Sequence, residues 1–254
     1  MVKGLSIKFR SYQETIPQLL KVIKLDEELK RHERIVLKIN LGLESSQSTP
    51  LGLVESTLAF CVAHKHPSAE IFIAEGADGA DTMSLFDAQG YRKLAERHGV
   101  SLIDLNNADC ESIGSNKFVG FETIMYPSIL KDSFVISLPV LRKDEQKELD
   151  GALSNMLGAF PARYYQGFFS RRKNKLSDFP IKYQVHDIVM CKMPDLALID
   201  ASQQGVILAG KPLDMDKQAA RLLELDEGIG YLRMIEETLA SQPVKEQLAE
   251  ASER

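Results

Sequence analysis

Ile16, Leu19, Leu20, Val22, Ile23 and Leu29 recur at helical spacing in a segment rich in Glu and Lys, which predicts a helix that buries one face. Arg34-Ile-Val-Leu-Lys-Ile-Asn40 follows as a short, nearly continuous apolar run, the pattern of a strand covered on both faces. A second helix is expected from Thr49-Pro50, with Thr49 as cap, Pro50 at the first helical position and Glu55 near the positive end of the dipole, running to about Lys65. Glu70-Ile-Phe-Ile-Ala-Glu75 is a second strand, stopped by Gly76 and followed by a loop containing Gly79. Helical patterning resumes from Met83 to His98, Gly99 closes it, and Val100-Ser-Leu-Ile-Asp-Leu105 is a third strand. Farther along, Ser133 to Leu138 and Leu196 to Asp200 have the character of buried strands, while Lys147 to Met156 and Asp216 to Leu225 are predicted helices.

Strand and helix alternating at intervals of about 30 residues are the signature of βαβ units. The expected fold is therefore α/β, a mostly parallel, doubly wound sheet with helices on both faces. Residues 1–241 are expected to form a single domain, and the polar stretch 242–254 a tail. Residues 159–185 combine Phe160, Tyr164, Tyr165, Phe168, Phe169, Phe179 and Tyr183 with the basic run Arg171-Arg-Lys-Asn-Lys175, and a long functional loop or lid is expected there.

A chain of 254 residues with 44% hydrophobic and 26% charged side chains can bury a substantial core. Its net charge of −5 gives no overall positive field, which argues against a nucleic-acid partner. No apolar run approaches the roughly 20 residues that span a bilayer, and Lys8 and Arg10 follow the start with no apolar stretch of a secretory signal behind them. No membrane association and a cytoplasmic location are expected. Cys61, Cys110 and Cys191 are far apart and form no CxxC pair, so reduced thiols are expected and an iron–sulfur cluster is not.

Several short blocks also resemble the prokaryotic domain of unknown function 362 family. Val36-Leu-Lys38-Ile-Asn40-Leu is similar to its first-strand motif, Thr49-Pro50 to the next block, Ile73-Ala-Glu75-Gly76 to its acidic glycine turn and Gly90-Tyr91 to its helix marker. Phe134-Val-Ile-Ser-Leu-Pro139-Val-Leu-Arg-Lys143 resembles the strand that ends in proline and lysine, and Gly151-Ala-Leu-Ser-Asn155-Met-Leu-Gly158 the asparagine–glycine block. Leu198-Ile-Asp200-Ala, Ala209-Gly210 and Leu213-Asp214-Met-Asp216 resemble the closing aspartate motifs. The departures matter too. The family often has Lys-Thr-His where this chain has Lys143-Asp144-Glu145, and Lys-Asn where it has Ser154-Asn155, so one histidine and one lysine of the expected site are replaced. The stretch between the last strand and Gly210 is shortened to Ser202-Gln-Gln-Gly205, and the cysteine-rich ferredoxin-like segment of many relatives is not found here. The resemblance implies the scaffold but no settled reaction.

In open α/β sheets, ligands bind beyond the carboxyl ends of the strands. Lys38, in an apolar run, is either an anion clamp or base, or a lysine whose stem reaches the sheet edge. Asn40 orients a ligand or ties down a turn. Glu75, Asp78 and Asp81 beside glycines offer a cation site or a general base, or are solvated turn residues whose spacing does not match an EF-hand. Asp214 or Asp216 can cap a helix, whereas Asp200 ends a buried strand with less structural work to do. Lys143 and Asn155, with Arg163 and the basic run, form a pocket for a carboxylate or phosphate, or a solvated surface. His64 and His66 lack a third ligand for zinc, and the GxSxG, HExxH, P-loop and GxGxxG motifs are missing.

The expected function is an enzyme acting on a small anionic metabolite. Lys38, Glu75 and Asp200 are its catalytic residues, and Asn40, Gly76, Lys143, Asn155 and Arg163 bind the ligand. Glu75, Asp200 and Asp216 are the ligands if a divalent metal assists. The alternative is a non-catalytic ligand-binding or partner module on the same scaffold.

Overall fold

The computed structural model describes residues 4–225 and 228–241. In chain order the strands are β1 (Leu5–Lys8), β2 (Arg34–Ile39), β3 (Glu70–Glu75), β4 (Ser101–Asp104), β5 (Cys110–Gly114), β6 (Thr123–Pro127), β7 (Phe134–Leu138), β8 (Arg142–Asp144), β9 (Glu148–Asp150), β10 (Leu196–Ala201) and β11 (Val206–Gly210). The α-helices are α1 (Tyr12–Val22), α2 (Leu25–Glu28), α3 (Leu51–His64), α4 (Thr82–Ala88), α5 (Tyr91–His98), α6 (Ser128–Lys131), α7 (Ala162–Tyr165), α8 (Ile181–Cys191), α9 (Pro212–Leu222) and α10 (Gly230–Ala240).

Seven strands form the central sheet in the order β1-β11-β10-β7-β2-β3-β4. The pairs from β10 through β7, β2 and β3 to β4 are parallel, while β11 is antiparallel to both β10 and β1. Two small antiparallel hairpins, β5-β6 and β8-β9, stand apart from it. The expected mostly parallel α/β sheet is thus what the chain forms.

Side chains alternate across each strand. On β2, Ile35, Leu37 and Ile39 enter one core with Ile16, Leu19 and Leu20 of α1 and Leu53, Val54 and Leu58 of α3. Val36 enters the other, with Val135 of β7, Val185 and Ile188 of α8, Ala219 of α9 and Ile235 of α10. Both faces are therefore covered, which is why β2 and β7 are almost continuously apolar. No helix among the described residues is long and apolar enough to cross a membrane.

Several elements differ from the expectation, each for a local reason. The first helix ends at Val22 and a short α2 follows, because Lys24 adopts a left-handed φ of 59°. The Met83–His98 pattern is two helices parted at Gly90, whose φ of 87° suits glycine. Pro50 itself is the N-cap of α3, and Thr49 does not cap it. The Thr49 hydroxyl instead accepts from the Asn40 N–H at 2.8 Å and donates to the Leu138 carbonyl at 2.5 Å, joining the ends of β2 and β7.

Lys147 to Met156 is not helical. Asp144 accepts from the backbone of Gln146 and Lys147, closing a turn that makes the β8-β9 hairpin, and a 3₁₀ segment over Ser154–Ala159 follows. α9 begins earlier than predicted, with Pro212 in its first turn. The segment 159–185 is only partly loop: it contains α7, a 3₁₀ turn at Asn174–Asp178 and the start of α8, while Phe168 and Phe169 are 96% and 98% exposed. The expected polar tail lies outside the described residues.

Candidate functional site

Following the chain, β2, β3 and β4 step outward in one direction and β7 and β10 in the other, so the order reverses between β2 and β7. Crevices form beyond the carboxyl ends of the strands at such a reversal. A cleft of about 930 Å³ opens there, lined among others by Asn40, Glu75, Gly76, Lys143, Asn155 and Lys173.

Beneath its floor lies Lys38, fully buried near the end of β2. Its Nζ donates to Glu75 Oε2 at 2.7 Å, to the Asn155 carbonyl at 2.8 Å and to the Ile39 carbonyl at 3.0 Å. These three acceptors use all three N–H bonds of an ammonium. Burial pushes the Lys38 pKa down, and Glu75 pushes it back up. The other Glu75 oxygen accepts from the Gly76 N–H at 2.7 Å. Gly158 packs over the pair, and a Cβ there would fall 1.8 Å from Glu75 Oε1, so only glycine closes this contact.

Asn155 braces the same spot, its Nδ2 donating to the Lys38 carbonyl and to Ser137 Oγ, both at 3.0 Å. Asn40 lines the cleft, but its Nδ2 donates to the Gln47 carbonyl at 2.6 Å and so ties down its own loop. Lys143, exposed on β8, stands at the rim.

Lys173 is the residue that sequence reasoning did not single out. It lay inside the basic run 171–175, where nothing marks it off from its exposed neighbours. In the fold it is buried, and its Nζ donates to the Gly76 carbonyl at 2.7 Å and the Gly158 carbonyl at 3.3 Å. Its backbone N–H donates to Asp78 Oδ1 at 2.7 Å. Burial brings the Lys173 amine down to about 8, against the upward pull of Glu75, Asp78 and Asp104. Arg172 lines the cleft beside it.

Three expected site residues lie elsewhere. Asp200 sits on the opposite face of the sheet, where Oδ2 accepts from the Tyr12 hydroxyl at 2.7 Å and Oδ1 from the Ser202 N–H at 2.9 Å. The Tyr12 pKa is raised by burial and by this carboxylate. Arg163 lines a separate shallow depression, lying 4.8 Å over the Tyr164 ring. Asp216 is fully buried, accepting from the backbone of Ala152 at 2.6 Å and Leu153 at 2.9 Å. Glu75, Asp200 and Asp216 are thus each held by different partners in different places, and no metal-binding group of three His, Cys, Asp or Glu exists among the described residues. Asp81 caps α4 through Ser84, and His64 and His66 bond locally to Phe60 and Ser68.

The cleft carries both signs of charge, but its acids are largely engaged. Asp144 and Asp150 both pair with Lys147, Glu75 with Lys38, and Asp78 with the Lys173 backbone. Among the described residues, Lys143, Arg172 and Lys173 make no ion pair, and Glu145 is the acidic counterpart at the exposed rim.

The model of the family described as "Domain of unknown function (DUF362)" matches residues 35–219. No curated protein matches the chain. Among solved structures, the crystal structure of a protein from Thermotoga maritima is similar at 12% identity, with a TM-score of 0.47, over 85% of this chain and 61% of that one. The chain therefore spans about three fifths of that protein's length. With the family's pattern running from the first parallel strand into α9, the chain belongs to the domain of unknown function 362 family.

Proposed function

We propose that the chain captures a small anionic ligand, a carboxylate or a phosphate, in the cleft at the β2/β7 switch. The observation that carries this is the pair of cations without an ion-pair partner at the wall, Lys143 and Arg172, above the buried Lys173 of the floor, with every acid of the lining except the exposed Glu145 already bonded. Arg and Lys recognise such groups through charge-assisted hydrogen bonds.

In this reading Lys38 and Glu75 support the floor and do not meet the ligand, because the Lys38 N–H bonds are all used and both Glu75 oxygens already bond Lys38 or the Gly76 N–H. Asp200, bonded to Tyr12 on the other face, takes no part. Ligand capture therefore has more support than the general acid–base chemistry expected of those three residues.

The test is thermal unfolding with phosphate, citrate and glycolate added separately. A ligand of the native state raises the melting temperature, by an amount that grows with concentration. At least one anion is expected to do so, with the shift reduced in Lys143→Ala and Arg172→Ala. Equal shifts in the wild type and both variants, or no shift with any anion, overturn the reading.

A further inference from the structure

We infer that Lys173 is an amine nucleophile and that the ligand of the cleft is a small anion bearing a reactive carbonyl, such as a 2-oxo acid or an anionic aldehyde, captured as an imine. This rests on the anion-capture reading above and adds the chemical class of the ligand.

The two buried lysines differ in what surrounds their nitrogens. Lys38 meets three acceptors, one of them a carboxylate, which is the environment of an ammonium. The Lys173 nitrogen meets two, both backbone carbonyls. Two acceptors match the two N–H bonds of a neutral amine and leave its lone pair over. Both carbonyls belong to glycines of the cleft lining, and the approach needs glycine: a Cβ on Gly76 would fall 2.4 Å from the Gly158 oxygen. The pair of carbonyls thus orients the nitrogen at the cleft floor, while Lys143 and Arg172 supply charge for the anionic end.

Lysines activated by desolvation form imines with carbonyl substrates. The groups that set the charge of Lys173 are Glu75, Asp78 and Asp104, which favour the ammonium, and burial together with Lys38, which favour the amine. In the reaction the lone pair forms a C–N bond to the carbonyl carbon and the C=O π pair moves to oxygen. The two amine hydrogens and that oxygen then leave as one water, giving C=N. No electrons are gained or lost.

Glyoxylate with cyanoborohydride tests this on the full chain, because reduction fixes the imine as a carboxymethyl amine that peptide mass mapping locates. Lys173 is expected to be labelled about tenfold faster at pH 7 than the exposed Lys143, since an ordinary lysine is almost wholly protonated there. The rate should rise with pH to a midpoint near 8, and the label should vanish from this position in Lys173→Arg. The wild-type map decides the question even if that variant folds poorly. Equal labelling of Lys173 and Lys143 overturns the inference.

Glycolate, which has the carboxylate but no carbonyl, separates the two readings. A glycolate shift in melting temperature with no preference for Lys173 leaves anion capture standing and removes the imine. Preferential labelling with no shift by any anion supports the nucleophile and removes capture by charge.

Discussion

A lysine and a glutamate buried together can be reactive groups or a brace, and the proposed reading takes Lys38 and Glu75, bonded to each other and to three backbone groups, as a brace. Removing one member of such a pair leaves the other charge buried and unpaired. Glu75→Gln is therefore expected to cost about 3–5 kcal/mol in urea unfolding, with part of the loss recovered in the Lys38→Met/Glu75→Gln double variant. An additive double variant would contradict the pairing. Asp216 makes a different demand, because burial raises its pKa to about 7, with the Ala152 and Leu153 N–H groups pulling the other way. A carboxyl whose pKa is raised on folding contributes stability fully below its unfolded value of about 4, and loses it as pH rises through the folded value. The melting temperature should accordingly fall by this contribution between about pH 4 and pH 7, the unfolded and folded values, and level off above, and Asp216→Asn should flatten the fall. Lys38, Glu75 and Asn155 were legible in the sequence because a polar residue inside or ending an apolar run must find a partner. Which partner it finds depends on sheet register and on a turn more than a hundred residues away, and neither is written locally. The partner of Asp200 is not legible for that reason, since its bond to Tyr12 reaches across to α1.

Among the elements, α8 holds a loop from afar. The Asp187 carboxylate accepts from the backbone N–H groups of Val119, Gly120 and Phe121 at 2.8–3.1 Å and bonds His186 Nδ1 at 2.6 Å. Burial raises the Asp187 pKa, but His186 and these N–H groups together set it below the usual carboxylate range. Asp187→Ala is expected to cost about 1.5–3 kcal/mol for hydrogen bonds to a charged group. Hydrogen exchange should speed up at Val119–Phe121 well before it does in β2 or β7; uniform acceleration would mean that the loop is held by other contacts. Strands buried on both faces were readable from their apolar runs, as were the helices over α1 and α3. β1 and β11 were not, being short pieces whose pairing is tertiary. Lys147 to Met156 reads as a helix, although it holds β9 and a 3₁₀ segment, because apolar spacing alone misses a turn closed by Asp144. Lys173 was hidden similarly, as its burial follows from how Gly76 and Gly158 meet it.

At the scale of the whole molecule, the parallel strands of the central sheet explain why a cleft lies where β2 and β7 diverge, and the expectation of that mostly parallel architecture needed only the alternation of strand and helix. The antiparallel closure at the other edge was not foreseen. Lys8 is in register with Val206 and Leu5 with Ala209, so the first strand of the described residues lies against the last. During synthesis the polypeptide emerges from its amino end, and β1 must wait, paired only with water, until the rest of the sheet has left the ribosome. On stalled nascent chains, Leu5–Lys8 should stay open to protease until Gly210 is clear of the exit tunnel, however early the β2-β3-β4 unit becomes resistant. Completion of this sheet is thereby timed by its latest-made strand.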